Sequence, residues 1–93
     1  MITHIVLMKF ADPAHRDEAK TRLEQLPAKI PQIASLTVGL DVVRSEASSD
    51  LALITTHDDL DALKGYQSHP VHVEFAGWLK PLLAARTVVD YER

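Results

Sequence analysis

Ile2-Thr3-His4-Ile5-Val6-Leu7-Met8-Lys9-Phe10 decides the architecture. Successive side chains of a strand point to opposite sides. Alternation therefore puts Ile2, His4, Val6, Met8 and Phe10 on one face and Thr3, Ile5, Leu7 and Lys9 on the other. Both faces are largely apolar. A strand covered on one side only alternates more cleanly, so this one predicts something packed on each face.

Beyond this strand, Asp12-Pro13 reads as a helix start, with Asp12 able to cap free N–H groups and Pro13 suited to the first helical position. Ala19, Leu23, Leu26 and Ile30 then form one apolar stripe, and Asp17, Glu18, Lys20 and Arg22 the wet side. Pro27 ends or breaks the helix, Pro31 confirms the stop, and residues 28–34 allow a short second turn. A second strand is expected over 36–44, with Gly39 suggesting a bulge or a close backbone approach. Arg44 to Ser49 is a polar hairpin loop, and residues 50–56 form a third strand antiparallel to the second. Asp50 is placed to pair with Arg44 across that hairpin.

Asp58 or Asp59 caps a second helix carrying Leu60, Leu63 and Tyr66 on one side. Pro70 interrupts it and begins another, with Val71, Phe75, Trp78, Leu79 and Leu82 as its buried side and Pro81 as its end or kink. Residues 86–92 are the last strand. The order β-α-β-β-α-β is the split arrangement of ferredoxin-like α+β folds, a four-stranded antiparallel sheet in one domain spanning residues 1–93. Helices cover only one face of such a sheet. The apolar residues on the other face call for a partner, most simply a second copy in a two-fold homodimer that closes an α/β barrel.

Composition narrows the functions. With a formal net charge of −3 and ten scattered Lys and Arg, the chain has no basic cluster for nucleic acid. No apolar run approaches the ~20 residues needed to cross a bilayer, and the N-terminus lacks a signal-peptide pattern. Cysteine is absent, which removes thiolate chemistry and fits a cytoplasmic protein. There is no Gly-rich phosphate loop, Gly-x-Ser-x-Gly elbow or cysteine nucleophile, so no cofactor is expected.

One stretch gathers groups able to move protons near neutral pH: Tyr66-Gln67-Ser68-His69-Pro70-Val71-His72. His69 and His72, three apart, are a weak metal signal, because zinc wants three or four ligands and Glu74 is the only carboxylate nearby; no metal is expected. His15 reads as solvated and His57 as a boundary residue at a strand end. Phe75 and Trp78 read first as core anchors.

The chain resembles the stress-responsive dimeric α/β-barrel (Dabb) family nearly end to end. The resemblance is carried by His4-Ile5-Val6-Leu7-Met8-Lys9-Phe10, by Pro31-Gln32-Ile33-Ala34-Ser35-Leu36-Thr37-Val38-Gly39, by Ser49-Asp50-Leu51-Ala52-Leu53, by Tyr66 to His72 and by Val89-Asp90-Tyr91-Glu92. It implies a homodimer whose sheets share a barrel. The family includes plant stress proteins without an established reaction and a plant polyketide cyclase that works without metal or cofactor. In that cyclase the tyrosine and second histidine of Tyr-x-x-His-Pro-x-His serve the chemistry, which implies Tyr66 and His72 here.

Three readings stay open. One is a homodimer that binds a small, fairly apolar molecule in a cavity near Tyr66 and His72. Another is a cofactor-free cyclase, isomerase or lyase acting on a carbonyl compound, with His72 as base and Tyr66 donating to the enolate oxygen. In both, His4, His69, Phe75 and Trp78 are candidate substrate-binding residues. The last is a non-catalytic stress or stability protein, with the cluster serving packing and capping.

Overall fold

The computed structural model describes all 93 residues, Met1–Arg93. Four strands, β1 (Ile2–Phe10), β2 (Ser35–Leu40), β3 (Leu51–His57) and β4 (Leu83–Glu92), form one sheet in the order β2-β3-β1-β4. Every neighbouring pair is antiparallel. Helices α1 (Arg16–Glu24), α2 (Leu60–Ser68) and α3 (Pro70–Leu79) lie on one face, with single 3-10 turns before α1 (Pro13–His15), after α1 (Leu26–Ala28) and after α3 (Lys80–Leu82). This is the ferredoxin-like α+β arrangement, with a sheet that does not close on itself. No helix is long and apolar enough to cross a membrane.

Parity along the strands sorts the two faces. Val6, Met8 and Phe10 of β1 and Leu51 and Leu53 of β3 are buried under the helices. Against them pack Ala19, Leu23, Leu26 and Ile30, together with Leu63, Phe75 and Leu79. Burying each large aliphatic or aromatic side chain contributes about 1.5–3 kcal/mol, so this layer is the main stabilising term of the chain. The opposite face carries a row that crosses all four strands, Thr37–Ile54–Ile5–Val89, set by the pairings of Ile54 with Thr37 and Ile5 and of Ile5 with Val89. Leu7, Ile54, Val89 and Tyr91 are exposed on that face.

Local chemistry fixes the ends of the elements. The Asp12 carboxylate accepts the Ala14 N–H (3.0 Å), and the turn it caps is 3-10 before α1 begins at Arg16. β2 stops at Leu40, four residues short of the expected end at 44. There Asp41 turns the chain by accepting the Arg44 N–H at 2.6 Å, and Arg44 takes left-handed backbone (φ 61°). Val42 and Val43 project into solvent as a result. Asp50 does not pair with Arg44. It is buried, and its carboxylate accepts the Phe10 N–H at 2.8 Å, tying the start of β3 to the end of β1. Gly39 makes no bulge, since β2 and β3 stay in register through Gly39↔Ala52 and a Cβ there would meet nothing within 4 Å. The one register shift in the sheet falls between Lys9 and Phe10 against β4, which starts three residues earlier than expected. Asp59 rather than Asp58 caps α2, through Ala62 N–H at 2.8 Å, and Leu60 is exposed rather than part of the buried stripe.

Candidate functional site

The break between α2 and α3 builds the site. Pro70 disfavours helical backbone at His69, which is extended (φ −61°, ψ 135°). The His69 ring turns back on the chain, where Nδ1 accepts the Val71 N–H at 3.1 Å and caps α3. The kink leaves Tyr66 in the last turns of α2 and His72 in the first turn of α3, with ring centroids 4.5 Å apart. His72 Nδ1 donates to the Gln67 carbonyl (3.0 Å), because a carbonyl can only accept. Its Nε2 is left as the basic nitrogen.

Beneath Tyr66 the sheet supplies two more imidazoles. His4 faces the helices, with its ring centroid 6.1 Å from that of Tyr66, and its Nδ1 donates to the Asp90 carboxylate of β4, its partner in the β1–β4 register. His57 closes β3 at 4.9 Å from the Tyr66 ring. Its Nδ1 donates to the Gln32 carbonyl and its Nε2 bonds the Thr55 hydroxyl, both at 2.8 Å.

A cavity of about 230 Å³ lies between sheet and helices. His4, Tyr66 and His72 line it together with apolar side chains that include Val6, Leu53, Phe75 and Leu79. It is smaller than the roughly 300–1,000 Å³ of drug-sized sites. Tyr66 is 1% exposed, and burial pushes its phenol up to about 12 although the Arg86 charge pulls the other way. The phenol is therefore protonated at neutral pH. Burial lowers the pKa of His72, and the charges of His4, Arg86 and Lys80 act in the same direction against the Gln67 carbonyl bond. Burial likewise lowers that of His57, against the pull of its own carbonyl bond to Gln32. A protonated phenol beside a neutral imidazole is a hydrogen-bond donor beside a base.

Four residues singled out from the sequence thus meet at the cavity: His4, Tyr66, His72 and Phe75. Two do not. His69 is turned to the backbone as a cap. Trp78, three residues beyond Phe75, is rotated toward α1, where the Arg22 guanidinium lies 4.2 Å over its ring. Glu74 borders that same outer groove, and the Nδ1 atoms of His69 and His72 are held by backbone groups. No group of three or more His, Asp or Glu side chains is arranged to hold a metal ion. His57 stands at the end of its strand, as expected, but is 0% exposed and belongs to the cluster, and Asp90 was not singled out as a site residue. The signal for His57 was parity, since Leu51, Leu53, Thr55 and His57 share a face; Asp90 shares one with Arg86 and Val88, but its pairing with His4 needs the strand register.

The chain is 30% identical to an uncharacterized protein of Streptomyces coelicolor, over 99% of each. It shares 35% identity with a dimeric protein of ferredoxin-like fold from Bacteroides fragilis, covering 99% of this chain and 95% of that one at a TM-score of 0.88. A hydroxynitrile lyase from Passiflora edulis has the same fold at 20% identity and a TM-score of 0.82, over 97% of this chain and 90% of its own. With residues 2–93 matching the stress responsive A/B barrel domain, the chain belongs to that family.

Proposed function

We propose that the protein is a homodimer that binds a small, fairly apolar molecule in the cavity beside Tyr66 and His72. The observation that carries this reading is the cavity itself. A protonated phenol and a basic imidazole nitrogen border a space whose other lining side chains are apolar except for His4, Gln67, Lys80 and Arg86. A core built only for stability fills such a space, because each void forfeits packing contacts. The dimer is supported by the apolar row on the open sheet face and by the dimeric Bacteroides fragilis relative. The test is thermal melting with a panel of small carbonyl and aromatic compounds. Binding raises the melting temperature in the wild type, and the rise is lost in His72→Ala. A panel without any shift at millimolar concentration sinks the reading.

The pairing of protonation states favours a second reading, a cofactor-free cyclase, isomerase or lyase. His72 Nε2 removes a proton from carbon next to a carbonyl, and the Tyr66 hydroxyl donates to the oxygen on which charge develops. Tyr66→Phe and His72→Ala should each abolish turnover of an identified substrate while leaving the fold intact. Full activity in both variants rules out these roles for His72 and Tyr66.

A further inference from the structure

Two cations on the cavity wall are unexplained by the Tyr66–His72 pair. Lys80 opens the 3-10 turn after α3, and Arg86 lies on the helix-facing side of β4, opposite Met8. Both line the cavity, and no Asp or Glu does. That imbalance is local, since acidic residues outnumber Lys and Arg by 13 to 10 in the whole chain. The chain's three ion pairs are His4–Asp90, Lys20–Glu24 and Arg22–Glu18, so Lys80 and Arg86 have no carboxylate partner. The nearest acid on β4, Asp90, is held by His4. Both charges act on the interior: Arg86 on Tyr66 and His72, and Lys80 on His72. Unpaired cations beside a low-dielectric wall concentrate anions at that point.

We infer that the ligand is a small monocarboxylate with an apolar body, its carboxylate held by Arg86 and Lys80 and its body against Leu23, Phe75 and Leu79. This rests on the reading of the cavity as a ligand site and names the ligand's class. The guanidinium of Arg86 offers a planar fork that fits a carboxylate with two parallel hydrogen bonds, and Lys80 adds a point charge. A volume of about 230 Å³ equals the share of roughly seven or eight water molecules, which suits a short branched or single-ring acid rather than a long chain.

The test is calorimetric titration of the full-length protein with 3-methylbutanoate, phenylacetate and the primary amide of each. Acid and amide share shape and size and differ in charge. The expected result is that at least one acid binds about tenfold or more tightly than its amide. Arg86→Met and Lys80→Met should each weaken the acid about three- to tenfold and the isosteric amide by clearly less, and Arg86→Lys should restore part of the loss. Both side chains are exposed and unpaired, so these variants fold. Amides that bind as tightly as acids overturn the inference and leave the cavity reading standing, as do acids indifferent to both Met substitutions. Failure of acids and amides alike at millimolar concentration overturns both.

Discussion

At His57 both ring nitrogens are engaged in a fully buried setting, and burial lowers its pKa as it does that of His72. The unfolded chain takes up protons at these rings near the ordinary value of about 6.5, and the folded chain does so only at lower pH. Their stabilising contribution is therefore complete above about pH 6.5 and is lost as pH falls through the depressed folded values. Urea titrations between about pH 8 and about pH 5 should show stability declining in this window, with a shallower decline in His57→Gln. Tyr66 works in the opposite limb. Its phenol, raised to about 12, stays protonated while the unfolded one ionises near 10. Stability should thus fall as pH rises above about 10, and Tyr66→Phe should flatten that limb while changing stability at pH 7 by no more than about 1 kcal/mol. An alkaline limb identical in Tyr66→Phe contradicts the assignment. His4, Tyr66 and His72 were legible because they stand in a recognisable motif or on an apolar strand face. Asp90 was not, since joining it to His4 needs the register of the first strand against the last, and alternation gives parity without register.

The elements end where polar side chains take over backbone groups, and this limits what periodicity reveals. Apolar spacing located all four strands and the three helices, but it carried β2 four residues too far because Asp41 caps the turn with its own carboxylate. It also assigned Asp50 to a surface pair, although Asp50 belongs to the long-range junction of β1 and β3. Asp50→Ala leaves the Phe10 N–H without its partner and should cost about 1–3 kcal/mol in denaturant unfolding. Asp50→Asn, which keeps an acceptor, should cost less, and equal losses would show that the bond to Phe10 is not the cause. Within α3, Phe75 borders both the inner cavity and the outer groove under Trp78. Phe75→Ala removes a buried ring and should cost about 3–5 kcal/mol, the upper end applying if the site does not collapse. An accompanying rise in Trp78 solvent quenching would report the two spaces joining.

The helices leave one face of the sheet bare. Ile5 and Ile54 pair directly at its centre, with Val89 beside Ile5 on β4 and threonines at Thr3, Thr37, Thr56 and Thr87 around them. A small domain gains stability from covering such a face, since a chain of this size buries only roughly 60–65% of its unfolded surface by itself. In the proposed homodimer a second copy meets it through the same patch, so one substitution would act twice in the assembly. Ile54→Lys places a charge at the centre of both halves while removing nothing from the helix-side core, because Ile54 is exposed in the single chain. Sedimentation at micromolar concentration should give about twice the 10.3 kDa chain mass for the wild type and a folded single chain for Ile54→Lys. Val73→Lys, exposed on α3 and far from this row, should sediment as the wild type does. A wild type that stays monomeric, or an Ile54→Lys variant that stays dimeric, would move the interface off this face and leave its apolar residues without a purpose.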